Sequence, residues 1–161
     1  MNTKDKKIRL IQTAKEIQPF TNETFEEYQL KIPEMVNSLN QLMLNRDDIL
    51  ELAGSSKNIE MMKDNHSNHA YFIASILKNF DAEVLVDTIL WVFRAYRSRQ
   101  FHPNYWAAQL NTWRKVIKEH LSTENTQKIV PLYNWMQINI PAFTELSDEK
   151  ILKNKSKHKI N

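Results

Sequence analysis

The chain contains no cysteine, and this absence removes several kinds of chemistry. Without a thiol there is no disulfide, no thiolate metal site, no cysteine nucleophile and no thioether attachment of a haem. Disulfides mark oxidising compartments, so their exclusion favours an intracellular protein. The charged segment at 1–12 lacks the apolar run of a signal peptide, and no stretch approaches the roughly 20 apolar residues of a membrane span. We therefore expect a cytoplasmic protein without membrane association.

Glycine is almost absent as well, since Gly54 is the single one among 161 residues. Tight β-hairpins and phosphate-binding loops need residues that tolerate positive φ, so sheet-rich folds are disfavoured. The same scarcity excludes the P-loop, the dinucleotide-binding glycine fingerprint and the nucleophile elbow, each of which needs at least two glycines at fixed spacing. The sequence therefore carries no signature of three large enzyme classes.

Positive charge is concentrated at the two ends of the chain. Residues 1–7 sum to +2 and residues 150–161 to +5, whereas the whole chain carries +3, so residues 8–149 carry −4. We expect a single helical domain at 1–149 followed by a basic, disordered tail at 150–161. Because the body is mildly acidic, it offers no second site for phosphates, and we expect no specific nucleic-acid binding.

Apolar residues recur at helical spacing along most of the chain, and we expect an all-α fold of about seven helices. No repeat period and no linker interrupts them, so one globin-like or helical-bundle domain is predicted. Four tryptophans between positions 91 and 135 predict a dense core in its second half. The predicted helices cover residues 4–17, 24–43, 46–53, 56–79, 82–99, 104–121 and 123–140.

Capping residues and prolines set the expected helix boundaries. The candidate N-caps are Thr24, Asn45, Asp81, Asn104 and Ser122 or Thr123. Pro33 lies within the second predicted helix, where the apolar stripe keeps its phase. We therefore expect a kinked helix there, or two helices that meet. Pro141 is expected to close the last helix.

A spaced set of residues between positions 69 and 110 is the basis of a family resemblance. It consists of His69, Phe72, Ile73, Ala74, Asp81, Leu85, Asp87, Trp91 and Arg99. In this spacing the chain resembles the helical sensory domains found N-terminal to cobalamin-binding and other bacterial signalling modules. The resemblance implies a sensory or regulatory role. Two features depart from it: Gln100 stands where the pattern has a turn glycine, and no output domain follows residue 161, so we expect action through a protein partner.

Two histidines interrupt the apolar stripe of the fourth predicted helix. His66 and His69 are three residues apart and share a face, so both could address one ligand, such as a metal or a tetrapyrrole iron. Phe72, Trp91 and Tyr96 could line an apolar slot beside them. These five residues form the candidate ligand-binding site, with haem or another tetrapyrrole as an open option. Ordinary core packing accounts for the same histidines and aromatics equally well.

Other constellations are weaker. No histidine follows a glutamate by three positions, and no HExxH motif occurs, so di-iron and zinc-peptidase sites are unsupported. Arg94, Arg97, Arg99 and His102 form a basic cluster suited to a phosphate or an acidic partner. The same cluster also fits a solvated helix end, where cations complement the helix dipole.

These observations favour a non-enzymatic regulatory or sensory domain that binds a small apolar or tetrapyrrole-like ligand, or a protein partner. The alternative is a ligand-free scaffold or interaction protein that dimerises through an exposed apolar helix face. An enzyme with His66 or His69 as its base ranks below both, because no nucleophile or carboxylate is paired with either histidine in the sequence. We accordingly assign no catalytic residue.

Overall fold

The computed structural model describes residues 2–149, and every regular element within that range is a helix. This confirms the all-α class with about seven helices. A 3-10 turn at Ser56–Asn58 precedes the fourth helix, and the predicted tail at 150–161 lies outside the described residues. The helices are α1 (Thr3–Ala14), α2 (Asn22–Leu44), α3 (Ile49–Ala53), α4 (Ile59–Lys78), α5 (Ala82–Ser98), α6 (Tyr105–His120), α7 (Thr123–Ile138) and α8 (140–149).

Two of the predicted N-caps make the expected hydrogen bond. The Asp81 carboxylate accepts from the backbone N–H of Val84 at 3.0 Å at the start of α5, and Ser122 caps α7 in the same way. Asn104 precedes α6, but its side chain makes no capping bond. Capping explains why both α5 and α7 begin where the sequence predicts.

Two other N-cap predictions are wrong. Thr21, and not Thr24, caps α2, and Thr24 lies buried in the first turn, where its hydroxyl bonds Asn125 on α7. Asn45 follows the end of α2 and does not start α3, which begins later, at Ile49. In both cases the sequence offers several polar residues close together, and tertiary contacts decide which one ends the helix.

Neither Pro33 nor Pro141 ends a helix. Helix α2 runs unbroken through Pro33, so the alternative of two helices meeting there is wrong. Helix α7 ends at Ile138, and Pro141 lies in the first turn of α8 instead of closing the last helix. Proline is tolerated in a first turn because the N–H that it lacks would have no intrahelical partner there.

The core is organised around α2, which packs against α4 and α6 and also contacts α7, while α1 packs against α5. Helix α5 faces α6 through aromatic side chains, and the rings of Phe93 and Trp106 stack at 4.4 Å between centroids. Within residues 2–149 no helix combines the length and apolar content that crossing a bilayer requires. The layer of side chains between α5 and the other helices is where the candidate site lies.

Candidate functional site

His66 lies in the interior, on the face of α4 that packs against α2. Its side chain is fully buried, and Nδ1 lies 2.6 Å from the amide oxygen of Asn40. An amide oxygen only accepts, so Nδ1 carries the proton and Nε2 is the unprotonated nitrogen. Nε2 is buried without a hydrogen-bond partner among the described residues. Burial lowers the pKa of His66 to about 3, so the ring is neutral at neutral pH.

His69 makes its hydrogen bond to α7. Its Nε2 lies 2.8 Å from the hydroxyl of Tyr133, which in turn lies 3.0 Å from the hydroxyl of Tyr28. The ring also packs against the indole of Trp113 at 5.0 Å between centroids. Burial, with a smaller contribution from His66, lowers the pKa of His69 to about 3. The two histidines therefore bond to different helices and do not converge on one ligand.

A cavity of about 250 Å³ lies between α4, α5, α6 and α7, beneath Trp91. Its walls are mainly aromatic and aliphatic, and four of the five sequence-predicted site residues line it: His69, Phe72, Trp91 and Tyr96. His66 does not line it, because its ring faces Asn40 instead. The structure thus brings together most of the predicted site around one partly open cavity.

Trp91 forms the outer edge of this cavity. Its side chain is 67% exposed, whereas the other three tryptophans are buried and belong to the core of the second half. Two residues that follow Trp91 on α5, Phe93 and Tyr96, are both buried and line the same cavity. A large aromatic side chain that is both exposed and part of a cavity wall marks the opening.

Two buried polar residues in the cavity wall are absent from the sequence-based site. Asn65 and Gln109 are 4% and 1% exposed, and the Asn65 amide oxygen accepts from Gln109 Nε2 at 2.7 Å and from the Tyr105 hydroxyl at 2.8 Å. A signal was present, since Gln109 lies between Trp106 and Trp113 in the inward stripe of α6. A polar residue in an apolar stripe is as informative there as the histidines are in α4.

The cavity does not fit a tetrapyrrole. Pockets for drug-sized ligands usually measure about 300–1,000 Å³, and a tetrapyrrole is larger than such ligands, whereas this cavity measures about 250 Å³. The Nε2 atom of His69 is also held by Tyr133 and is not free to bind iron. Residues 2–149 contain no group of three side chains placed to hold a metal ion.

Arg97, in the basic cluster at the end of α5, is already paired within the fold and is not free to bind an anion. The Arg97 guanidinium lies 3.1 Å from the carboxylate of Asp148 on α8, and it also donates to the carbonyl of Phe101 at 3.2 Å. Its charge is therefore neutralised within the fold. This contact fastens the end of α5 to α8 and leaves the cavity as the better candidate site.

Comparisons of the chain with protein-family models, with curated proteins and with solved structures found no match. A function for the chain is therefore inferred from the geometry and chemistry of the cavity.

Proposed function

We propose that the chain is a non-enzymatic, cytoplasmic regulatory or sensory domain that binds a small, largely apolar molecule in the cavity beneath Trp91. The observation that carries the proposal is the cavity itself, whose mainly apolar lining comes from four helices and includes a few buried polar groups. Concave, mostly apolar sites with a small number of placed polar groups are typical of small-molecule binding.

The volume limits the size of the ligand. An apolar cavity of about 150 Å³ accepts benzene, and this one measures about 250 Å³. By proportion it has room for a molecule of about ten non-hydrogen atoms. Since Trp91 stands at the opening, a longer molecule would extend past its indole into solvent.

The state of the histidines supports binding without catalysis. A general base works best with a pKa near the operating pH, whereas burial lowers the pKa of both His66 and His69 to about 3. The Nε2 atom of His69 is engaged with the hydroxyl of Tyr133, itself a buried phenol whose pKa burial raises. The two histidines and Tyr133 are therefore better suited to an ordered, hydrogen-bonded structural role than to proton transfer.

The position of the cavity supports a regulatory role. Helix α5 supplies Trp91 and packs mainly on α1, while α4, α6 and α7 supply the other walls. A ligand that contacts all four helices binds most tightly to one position of α5. Binding therefore increases the fraction of molecules in that conformation. The outer face of α5 would transmit that change to a protein partner.

Binding can be tested with uncharged apolar probes of suitable size, namely indole, 1-octanol and naphthalene. Each should raise the melting temperature, because a ligand at 100 times its dissociation constant adds about 2.7 kcal/mol of stability. Val92→Phe narrows the cavity and should remove the effect. Val84→Phe is the matched control, since Val84 lies exposed on the same helix and does not line the cavity. If no probe shifts the transition, the proposal fails.

A second candidate function is a ligand-free scaffold that pairs with another copy of itself, and the outer face of α5 favours it. Val84 and Trp91 are 48% and 67% exposed. Seven residues apart, they share one face of the helix, and exposed apolar residues that cluster often mark contacts. Light scattering, which measures molar mass in solution, separates the two candidates. The scaffold function requires that the unmodified chain has the mass of a dimer and that the Trp91→Ser variant has the mass of a monomer.

A further inference from the structure

The hydrogen bonds around His69 determine which ring nitrogen carries its proton. If Tyr28 donates to Tyr133 and Tyr133 donates to Nε2 of His69, each hydroxyl proton has an acceptor. In the reverse order the proton of the fully buried Tyr28 hydroxyl would have none within residues 2–149. A buried donor without an acceptor costs about 1–3 kcal/mol. Nε2 therefore accepts, and the proton resides on Nδ1.

The Nδ1–H of His69 is available to a ligand. No hydrogen bond joins it to any described residue, and it is not among the polar atoms that protein atoms enclose completely. His69 is also part of the cavity wall. The residues that line the cavity thus include more than one hydrogen-bond donor without a partner among residues 2–149, namely this N–H and the buried indole N–H of Trp106.

Gln109 supplies the complementary acceptor. The buried hydroxyl of Tyr105 donates to the amide oxygen of Asn65 at 2.8 Å. The same oxygen accepts from Gln109 Nε2 at 2.7 Å, so the nitrogen of the Gln109 amide faces Asn65. The amide oxygen of Gln109 then makes no hydrogen bond to the described residues, and it is likewise not fully enclosed.

No charged side chain of the described residues lines the cavity. Its walls contain no lysine, arginine, aspartate or glutamate, and His69 is neutral because burial holds its pKa near 3. A carboxylate or an ammonium group bound there would lose its water without gaining an opposite charge, which costs several kcal/mol per ion. Neutral ligands that hydrogen-bond are free of this cost.

We infer that the ligand of the cavity beneath Trp91 is an uncharged molecule with a small apolar body and one hydroxyl or amide group, which bonds the Nδ1–H of His69 or the amide oxygen of Gln109. This inference rests on the proposed function and narrows it to one ligand class. It excludes organic anions small enough to lie wholly within the cavity, because their charge would lose its water there without an opposite charge.

Four probes with a common phenyl body test the inference. Phenylacetamide and phenylacetate have nearly the same shape and differ in charge, while 2-phenylethanol and propylbenzene differ in one hydroxyl group. Their dissociation constants are measured at pH 7.5 from the chemical shifts of backbone amides in the intact chain. We expect phenylacetamide to bind at least tenfold more tightly than phenylacetate, because only the anion must be desolvated without a partner.

Gln109→Met tests the acceptor with little change in side-chain volume. A lost hydrogen bond of about 1–1.5 kcal/mol corresponds to a factor of about ten. The variant should therefore weaken phenylacetamide about tenfold relative to propylbenzene, whose binding needs no acceptor. The backbone amide spectrum of the ligand-free variant verifies that it is folded. The comparison of the four probes on the unmodified chain does not depend on this variant.

The outcomes separate the inference from the function beneath it. If none of the four probes binds, the ligand-binding function itself is overturned. If phenylacetate binds as tightly as phenylacetamide, the cavity accepts anions and the inference is overturned while the function stands. If Gln109→Met weakens all probes equally, the hydrogen bond to Gln109 is refuted.

Discussion

Gly54 lies so close to Gln100 that a Cβ atom at position 54 would stand 2.5 Å from the Gln100 carbonyl oxygen. Both residues adopt positive φ, at 89° and 72°. The side-chain amide of Asn58 joins the two segments by donating to the carbonyls of Ala53 and Arg99 at 2.8 and 2.9 Å. This contact fastens the end of α5, the helix that carries Trp91, to the loop after α3.

Gly54→Ala should destabilise the protein by at least about 1 kcal/mol, because alanine is strained at positive φ and its methyl group would meet a backbone oxygen. Urea unfolding followed by circular dichroism measures the change. Ser55→Ala is the control, since Ser55 is exposed and its side chain makes no capping bond. Equal stability of the two variants would contradict the close approach of Gly54 to Gln100.

Tyr133→Phe should cost more stability than Tyr28→Phe. Removing the Tyr133 hydroxyl leaves both the Tyr28 hydroxyl and Nε2 of His69 without a partner, for about 1–3 kcal/mol. Removing the Tyr28 hydroxyl, at the end of the chain of bonds, leaves the bond from Tyr133 to His69 intact. Chemical denaturation of the two variants gives the order, and a larger loss for Tyr28→Phe would contradict the position of the Tyr133 hydroxyl between Tyr28 and His69.

Stability should fall as the pH is lowered from 6.5 towards 3. In the folded state the pKa values of His66 and His69 are about 3, below their ordinary value of 6.5. The unfolded chain therefore takes up protons first, and the stabilisation that is complete above pH 6.5 is lost as the pH falls through this window. Each histidine contributes up to about 1.4 kcal/mol per pH unit.

Urea titrations at pH 7.5 and pH 5.0 measure this dependence. His66→Gln retains a donor for Asn40 and removes one titrating group, so the difference in unfolding free energy between the two pH values should shrink by about half. An unchanged difference would show that His66 takes up its proton equally in the folded and unfolded states.

Trp91→Ala and Trp113→Ala should differ sharply in stability. Trp91 is 67% exposed, whereas Trp113 is fully buried against His69. Truncating a buried tryptophan costs about 3–5 kcal/mol, while a surface substitution stays within about 0.5 kcal/mol. Thermal unfolding compares them. A Trp91→Ala variant as unstable as Trp113→Ala would place Trp91 in the core and remove the opening of the cavity.

The structure brings four of the five residues of the sequence-based candidate site to one cavity. His69, Phe72, Trp91 and Tyr96 line one cavity because helical periodicity aligns residues on facing helices. Three-residue spacing groups His66 with His69 on a shared face, yet one ring turns to α2 and the other to α7. Spacing along a helix determines the face but does not determine which neighbour each side chain meets.

Position 100 likewise has one feature that the sequence predicts and another that depends on tertiary contacts. The resembling pattern has a turn glycine there, and Gln100 does adopt the left-handed conformation that glycine favours. Gly54 and Asn58 contact this turn from a loop more than forty residues earlier in the chain. The local sequence around position 100 does not predict that contact.

The sequence by itself determined the helical class and several helix starts, because periodicity, capping and the scarcity of glycine act within a few residues of the chain. Tertiary structure alone decided the size of the cavity, the exposure of Trp91, the neutrality of both imidazoles and the exclusion of a tetrapyrrole. Those properties depend on how far apart packed helices lie and on which polar groups meet between them, and such distances arise from the packing of all the helices together.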